Sequence, residues 1–429
     1  MNAEPRREVH WYGEQMPSPR QPFLSTDLHV DVLIVGGGVA GLTCAQRLRD
    51  EGLEVVLLES QYCGAGASGR SSGFITPDSE LQLADLLDQF GADSAKRIRS
   101  FVNGGVELIR QNITDHAIDC NLQLHDSLFV ANSKAGWKSV RREHEARIQL
   151  GYPSKLLKKD ELGEVLGGGH YAGGVRYPET FGMDPYRYCQ GVKDALVKRG
   201  VRLCEATPVL ALERGVARTA GGSVRAKHFI VATDRFLPEL GLEQRDIYHA
   251  QTFLTVSTPL SQDQIGRIFP GDRTMVWDTD LIYQYFRLVE GNRLLLGASS
   301  LRYTFRHHEE DVLSPVLRKM HRYLERSFGL GDIRFEQVWP GLIGVSKDLM
   351  PIVGIHPELP GLRFVGGATG LPWAAALGAY LADQIVHGRS ELDAFFSPGR
   401  RFPVGACMQR VLSTPLAFML SHGAVKYLR

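Results

Sequence analysis

The clearest pattern of apolar and polar positions lies near the start of the chain. Apolar runs at 32–35 and 55–58 each predict a buried strand. Between them Leu42, Ala45 and Leu48 recur at helical spacing, and Gly52 follows as a helix terminator. This order of strand, helix and strand predicts a βαβ unit in a parallel sheet.

Helical and strand patterns continue along the rest of the chain. Helical periodicity predicts helices at 92–116, 136–150 and 311–328. Alternating or apolar runs predict strands at 123–130, 247–258, 274–278, 281–289 and 293–298. Because 429 residues exceed the usual size of a single core, we expect two domains, or one domain interrupted by another.

A glycine motif joins the first strand to the first helix. Gly36, Gly38 and Gly41 follow the spacing G-x-G-x-x-G, which permits a tight turn, a close approach of a pyrophosphate and close packing of the helix on the strand. Glu59 ends the second strand, 18 residues beyond Gly41, where a carboxylate accepts hydrogen bonds from ribose hydroxyls and disfavours a 2′-phosphate. The unit therefore predicts FAD or NAD rather than NADP, with an unliganded βαβ unit as the alternative.

Composition narrows the classes of partner and compartment. With 49 basic and 48 acidic residues the net charge is +1, which gives no electrostatic basis for binding nucleic acid. The six cysteines are scattered without metal-ligand spacing, so we expect reduced thiols and no metal site. Residues 1–28 lack the apolar core of a signal peptide, and the chain has no apolar run of membrane-spanning length. A cytoplasmic protein without an integral membrane segment is expected.

Small residues dominate the segment 63–73, which follows the second strand directly. Such a run predicts backbone lying against a flat or charged ligand, and a flexible linker is the alternative. Arg70, within this segment, is expected either to neutralise a phosphate or to pair with a core acid.

Together, VGGGVAGL, Glu59 and the segment GASGRSSG resemble the D-amino acid oxidase (DAO) superfamily of FAD-dependent oxidoreductases, in particular its gamma-glutamylputrescine oxidase-like branch. The resemblance implies an α/β fold. It consists of a discontinuous Rossmann-type FAD-binding domain and a mixed-sheet α+β substrate domain, in an architecture of the DAO/glutathione-reductase-2-like type. The resemblance divides the chain into an FAD-binding domain (29–78, 170–235 and 335–395), a substrate domain (79–169 and 236–334), an N-terminal arm (1–28) and a C-terminal extension (396–429).

The resemblance also implies which residues hold FAD. Asp184 would cap a helix beginning at Pro185, a small sheet including 207–209 would close over the adenine, and a helix starting near Leu371 would point its N-terminus at the flavin. FAD should be non-covalent, because no cysteine stands near Gly341. The residues expected to hold FAD are Gly36, Gly38, Val39, Ala40, Gly41, Glu59, Ser60, Gly66, Ala67, Ser68, Arg70, Ser71, Ser72, Val209, Thr233, Gly367, Thr369, Gly370 and Leu371.

Candidate substrate contacts lie on a strand of the predicted substrate domain. The two-residue period of a strand places Tyr283, Tyr285 and Arg287 on one face, although plain sheet packing would give the same pattern. His249 is a candidate proton acceptor, or else a hydrogen-bonded structural histidine. Lys347 is expected to be a solvated surface charge.

The chain also departs from its relatives at places that bear on substrate. Many relatives carry a carboxylate-binding arginine after a tryptophan, whereas the segment after Trp339 is apolar here. The segment 368–373 lacks a histidine that is common in this branch, and Ser71 and Ser72 replace an asparagine and a glycine. A simple alpha-amino acid is therefore not the expected substrate.

The resemblance implies an amine oxidase or dehydrogenase, in which hydride passes from an amine's alpha carbon to flavin N5 and the imine is hydrolysed. Oxygen or a quinone-type acceptor would reoxidise the flavin. Two alternatives stay open: oxidation of an amine on a carrier- or RNA-bound substrate, and a non-catalytic flavin-binding assembly protein. The C-terminal extension either docks on a membrane surface or partner, or covers the protein's own apolar surface, which we favour.

Overall fold

A computed structural model describes residues 4–427 except 14–18, 79–80, 179, 244, 281, 298–301, 305–312, 360, 389 and 391. The strands are β1 (Leu28–Val35), β2 (Val55–Leu58), β3 (Phe74–Ile75), β4 (Gln123–Leu124), β5 (Ser127–Ala131), β6 (Lys155–Lys158), β7 (Gly173–Tyr177), β8 (Phe181–Gly182), β9 (Arg202–Cys204), β10 (Ala211–Glu213), β11 (Val216–Arg218), β12 (Ser223–Val231), β13 (Ile247–Ser257), β14 (Met275–Asp278), β15 (Tyr285–Val289), β16 (Arg293–Gly297), β17 (Arg302–Thr304), β18 (Phe335–Ser346), β19 (Ile352–Ile355) and β20 (Leu362–Gly366).

The helices are α1 (Val39–Asp50), α2 (Ala67–Arg70), α3 (Leu83–Asp115), α4 (Lys134–Leu150), α5 (Lys159–Gly163), α6 (Pro185–Lys198), α7 (Gln262–Ile268), α8 (Leu313–Phe328), α9 (Leu371–Val386), α10 (Asp393–Phe396), α11 (Ala406–Val411) and α12 (Thr414–Tyr427), with 3-10 turns at His10–Tyr12 and Asp234–Leu240. Positions 281, 298 and 311–312, at the ends of three predicted elements, lie outside the described residues.

An eight-stranded sheet is built around the predicted βαβ unit. β1 pairs in parallel with β2 and β12, β2 with β9, and β12 with β20, while β10, β11 and β19 are antiparallel. The central strands are buried on both faces, as expected of parallel strands covered by helices. The parallel strands β1, β2, β9 and β12 end in register, at Val35, Leu58, Cys204 and Val231. The turns that follow these strands therefore meet at one edge of the sheet.

A nine-stranded, largely antiparallel sheet forms the second layer. Its order is β17-β13-β16-β15-β14-β5-β7-β6, with β18 paired along β13. One face carries Trp339 and Leu254, which pack with Trp11 and Tyr186. We call this the inner face. The opposite, outer face carries Phe286, which packs among residues of α8.

Sheet pairing moves two of the predicted domain limits. The boundaries drawn from sequence place 173–177 and 335–346 with the cofactor unit. Their hydrogen bonds instead place β7 beside β5 and β6, and β18 beside β13, within the nine-stranded sheet. Proximity along the chain to cofactor motifs misled the boundary, because both strands lead directly into cofactor segments.

Four predicted elements differ locally from the structure. The strand expected at 123–130 is two strands in different sheets. The helix expected at 92–116 begins earlier, at Leu83, with a break at Gly91, whose φ is +77°. The 207–209 segment is irregular, and β10 begins only at Ala211. The strand expected at 281–289 begins at Tyr285.

The predicted helix cap is observed: Asp184 accepts hydrogen bonds from the N–H groups of Tyr186 and Arg187, each at 3.0 Å.

The C-terminal extension packs on the protein's own surface. Pro415 lies in the first turn of α12 rather than breaking it, a position where proline is tolerated. The fully buried Phe418 contacts Tyr248, with ring centroids 3.6 Å apart, and His422 Nε2 lies 2.9 Å from the Ser346 carbonyl oxygen. Within the described part of the chain, no helix is long and apolar enough to cross a membrane.

Lys347 contradicts its prediction as a solvated charge. Its side chain is 1% exposed, and Nζ lies 2.5 Å from an Asp246 carboxylate oxygen and 2.8 Å from Gln409 Oε1. Arg400 donates to both oxygens of the neighbouring Asp348, each at 2.7 Å. Local sequence patterns could not reveal this, because Gln409 and Arg400 lie in the C-terminal extension and Asp246 lies directly before β13. Lys347 and Asp348 fasten the extension to the end of β18.

Asp278 should make stability depend on pH. Its Oδ1 accepts hydrogen bonds from the N–H groups of Asp280 and Gln284, whereas Oδ2 is buried and bonds to no described residue. Burial, reinforced by the Asp280 charge, raises the pKa of Asp278 from 3.8 to about 7. Between these values the folded state keeps a proton that the unfolded state has lost. The free energy of unfolding should therefore fall as pH rises through this window, by up to about 1.4 kcal/mol per unit.

Urea unfolding across that pH window measures the slope in wild type and in Asp278→Asn, whose slope should be less steep because it lacks the contribution of this carboxyl. Asp332→Asn, at an exposed carboxyl, is the control and should keep the wild-type slope. An unchanged slope in Asp278→Asn would contradict the assignment.

Candidate active site

The first glycine turn leaves no room for side chains. Gly36 has a φ of +112°, and a Cβ there would lie 2.5 Å from the Ala232 carbonyl oxygen. A Cβ on Gly41 would lie 2.0 Å from the Gly36 carbonyl oxygen. Gly38 precedes α1 without supplying a side-chain cap. The turn thus presents the helix N-terminus, with Val39 and Ala40 in its first turn, at the carboxyl edge of the sheet.

The segment 66–68 lies against this helix N-terminus. Ser68 Oγ accepts a hydrogen bond from the Val39 N–H at 3.0 Å. Gly66 precedes the short helix α2, which begins at Ala67. Three small residues predicted to hold a cofactor are therefore beside the glycine turn, and the segment is not a free linker.

Glu59 organises the end of β2. Its Oε2 accepts the Gly37 N–H at 2.7 Å, and its Oε1 accepts the Gln61 N–H at 2.9 Å and the Ser60 hydroxyl at 3.0 Å. Burial raises the pKa of Glu59, and these hydrogen bonds oppose the shift. The half-buried Val209 lies two residues after Thr207, whose N–H donates to the Glu59 carbonyl oxygen at 2.8 Å. The predicted adenosine contacts are thus close together.

Asp234 is a residue whose importance sequence reasoning missed. It has a φ of +48°, and its carboxylate accepts the Gly344 N–H at 2.8 Å and the Gly367 N–H at 2.9 Å. Burial raises the pKa of Asp234, and these two hydrogen bonds oppose the shift. One side chain therefore joins β18 to the turn after β20. An acid in the turn that follows the buried end of β12 was the available signal.

The third predicted segment surrounds the start of α9. Gly370, with a φ of +106°, precedes Leu371 and supplies no side-chain cap to the helix. A Cβ on Gly378 would lie 2.2 Å from the Ala40 carbonyl oxygen, so α9 crosses the first turn of α1. Thr369 is half-buried in the turn before the helix, and Thr233 Oγ1 is buried without a hydrogen bond to the described residues.

Three consecutive carbonyl groups are each bound by a large side chain from elsewhere. Trp339 Nε1 donates to the Arg70 carbonyl oxygen at 2.9 Å, Trp11 Nε1 to that of Ser71 at 2.8 Å, and Arg287 Nε to that of Ser72 at 3.0 Å. We call residues 70–72 the 70–72 turn. The Arg70 guanidinium in turn donates to the Pro340 carbonyl oxygen at 2.6 Å. This contact braces the turn against β18, and the expected contact of Arg70 with a phosphate stays a prediction.

Arg287 is a structural residue, which corrects its prediction as a substrate contact. Besides Ser72, it donates from Nη1 to Gln123 Oε1 at 2.9 Å and from Nη2 to the Met183 carbonyl oxygen at 2.7 Å. Its residue exposure is 2%. Burial lowers the pKa of Arg287 to about 10, and the Asp184 charge opposes that shift. All three nitrogens of the guanidinium group are thus used to hold backbone and amide oxygens.

The two predicted tyrosines lie near the same turn. Tyr283 precedes β15 and Tyr285 begins it, with ring centroids 5.6 Å apart. Tyr285 also packs edge-on against Phe74, at 5.8 Å, and its ring fills the space above Gly297, where any Cβ would lie 2.1 Å from a ring carbon. These half-buried rings form an aromatic wall just beyond the 70–72 turn.

His249 lies on the wrong face for its predicted role. It pairs with Gly344, and the strand period places it on the face of Phe253, which packs in the outer cluster. Leu254, of opposite parity, packs in the inner cluster with Tyr285. The buried His249 therefore faces away from the aromatic wall, and its reading as a structural histidine is the one the geometry favours.

The inner face carries candidate contacts that sequence reasoning did not single out. Thr252 pairs with Gly341, and Ala250 pairs with Ile343. By the two-residue period of the strands, the inner face that carries Leu254 and Trp339 also carries three half-buried residues, namely Thr252, Gly341 and Ile343. They share the inner face of the sheet with Tyr285, which begins β15.

This set of groups fits a flavin dinucleotide. Helices α1 and α9 begin after glycines, which supply no side-chain cap. Apart from the Val39 N–H, which Ser68 binds, this leaves backbone N–H donors suited to a pyrophosphate and to a flavin's electron-rich edge. Glu59 directly follows β2, at the position where an acid meets ribose, and the buried Thr233 hydroxyl is a further donor toward the same edge of the sheet.

Comparison with known proteins agrees with this geometry. Residues 31–384 match the family described as DAO, FAD dependent oxidoreductase. Gamma-glutamylputrescine oxidoreductase of Escherichia coli is 27% identical over 419 residues, covering 95% of this chain and 94% of its own. A probable oxidoreductase, OrdL, of Haemophilus influenzae is 26% identical over 387 residues, covering 87% of each.

A solved structure confirms the fold class. The crystal structure of L-proline dehydrogenase from P. horikoshii superposes with a TM-score of 0.74 at 19% identity, covering 88% of this chain and 97% of that one. The predicted α/β fold, family and FAD cofactor are thereby confirmed. The chain belongs to the DAO family of FAD-dependent oxidoreductases.

Proposed function

We propose that this chain oxidises the C–N bond of an amine whose reacting carbon carries no carboxylate. Its relative in Escherichia coli is named for an amine substrate, gamma-glutamylputrescine, which supports the reaction class. Bound FAD would supply the hydride acceptor. The protein's own task is then to hold the amine in the right orientation.

The observation that carries the substrate class is the uncharged inner face. On the described residues of β13 and β18, that face carries Tyr248, Ala250, Thr252 and Leu254 opposite Val345, Ile343, Gly341 and Trp339. None of these side chains can form the bidentate ion pair that grips a carboxylate. Arg287, on β15 of the same sheet, is bound to carbonyl oxygens.

We assign roles to the predicted residues on the same basis. Glu59, Ser60 and Val209 would hold the adenosine. The turns at 36–41 and 66–68 would hold the pyrophosphate. The flavin would be held by Ser71, Ser72, Thr233 and residues 367–371. The aromatic wall, formed by Phe74, Tyr283 and Tyr285, would pack against the carbon skeleton of the amine. Release of its nonpolar surface from water favours that contact.

Matched pairs of substrates test the proposal. For each amine and its alpha-carboxylated analogue, kcat/KM should favour the amine by about tenfold or more, because a buried carboxylate lacks a partner. Ile343→Arg should narrow or reverse this preference by supplying a cation on the inner face. Ile148→Arg, at a position 58% exposed, is the control and should leave the preference unchanged. A wild-type preference for the carboxylated analogues would overturn the proposal.

A further inference from the structure

The N-terminal arm lies outside the family match, which begins at residue 31, yet it is firmly attached to the site. The Arg6 N–H donates to the Glu336 carbonyl oxygen at 2.8 Å, and the Val338 N–H donates to that of Arg6 at 2.9 Å. His10 Nδ1 lies 2.7 Å from Gln337 Oε1. The arm thus lies alongside β18 and is joined to it by a parallel β-bridge between Arg6 and Gln337.

Beyond this point the arm bridges the two sheets. Trp11 is 7% exposed and packs edge-on against Trp339, with centroids 6.4 Å apart, while the Arg287 guanidinium lies 5.5 Å from its ring. Tyr12 accepts a hydrogen bond from the Tyr62 hydroxyl at 3.1 Å. The arm therefore touches β15 and β18 on one side and the segment after β2 on the other.

Trp11 occupies the middle place among the three donors that bind the 70–72 turn. In a planar, trans peptide group the C=O and the N–H of the next residue point in opposite directions. A hydrogen bond that fixes the direction of the carbonyl therefore also fixes the direction of that N–H. With Trp339 on the Arg70 carbonyl and Trp11 on that of Ser71, the N–H groups of Ser71 and Ser72 are both directed away from these indoles.

We infer that Trp11 is a positioning residue for the flavin, and that the N-terminal arm is a functional part of the cofactor site. Trp11 sets the Ser71–Ser72 peptide plane and so aims the Ser72 N–H, a donor that the flavin ring would use. This inference rests on the proposed placement of the ring beside Ser71 and Ser72.

Trp11→Phe tests the inference, because it removes the indole donor and keeps an aromatic ring. The dissociation constant for FAD should rise about three- to tenfold, the value of one hydrogen bond. The visible spectrum and the reduction potential of the bound flavin should shift with it. Trp339→Phe, which frees the neighbouring Arg70 carbonyl, should change the same quantities in the same direction. Trp137→Phe, on α4, is the matched control and should leave FAD affinity and spectrum unchanged.

Thermal unfolding of the FAD-free proteins separates positioning from general stability. If Trp11→Phe lowers only the melting temperature and leaves FAD affinity, spectrum and potential as in wild type, the inference is wrong while the proposed function stands. If Trp11→Phe cannot be obtained folded, Trp339→Phe decides by the same measurements. If wild-type protein fails to bind FAD, the proposed function and the inference fall together.

Discussion

Asp234→Ala should cost about 3 kcal/mol or more of the free energy of unfolding and weaken FAD binding strongly. The carboxylate accepts the N–H groups of Gly344 and Gly367, and hydrogen bonds to a charged group contribute about 1.5–3 kcal/mol each. Removing it leaves both donors without their acceptor. It also frees the turn after β20 from β18, so the segment before α9 loses its fixed position.

Two further variants separate the causes. Asp234 has a φ of +48°, a region that alanine adopts less readily than aspartate, whereas glycine adopts it freely. Asp234→Gly therefore loses the hydrogen bonds without this strain, and Asp234→Asn keeps the backbone preference and one acceptor. Urea unfolding and FAD titration should rank them wild type, Asn, Gly, Ala. If Asp234→Gly matched wild type in both measurements, the carboxylate would have no such role.

Arg287→Met should destabilise the protein by about 3 kcal/mol and lower its FAD content, with little specific effect on KM for the amine. Methionine fills similar space, but the oxygens of Ser72, Gln123 and Met183 lose their donors. The substitution also removes a buried charge, which offsets part of this loss. The net decrease in the free energy of unfolding is therefore close to the contribution of one to two hydrogen bonds.

Arg287→Lys keeps the charge but cannot reach all three oxygens, so it should fall between methionine and wild type. Arg318→Met, at an exposed position on α8, is the control and should unfold like wild type. Urea unfolding, flavin content and steady-state kinetics distinguish the two roles. A variant of normal stability and flavin content whose KM alone rises would restore the predicted substrate contact.

Local patterns predicted the elements around the glycine turn well. The strand at 55–58 has the predicted limits, and α9 begins at Leu371 as expected. These elements are specified by apolar runs, glycines and a helix start within a few residues of one another. The same locality explains why the alternation along β15 correctly placed Tyr285 and Arg287 on the side opposite Phe286.

What the sequence could not predict depends on distant partners. Asp234 binds Gly344, 110 positions away, and Gly367, 133 positions away, while Arg287 binds Ser72 across 215 positions. Spacing along one strand shows that an arginine faces inward but not which oxygens it meets there. Lys347 was misread for the same reason, since its partner Gln409 lies 62 positions further on.

Anaerobic titration of the purified holoprotein with a panel of primary, secondary and gamma-glutamyl amines, followed by the visible flavin absorbance, tests the central claim most directly. We predict that a yellow protein bleaches with at least one amine and much less with the alpha-carboxylated analogue of that amine. A yellow protein that dithionite bleaches but no amine does would contradict the assignment of an amine substrate, and a colourless protein that takes up no FAD would contradict the cofactor site itself.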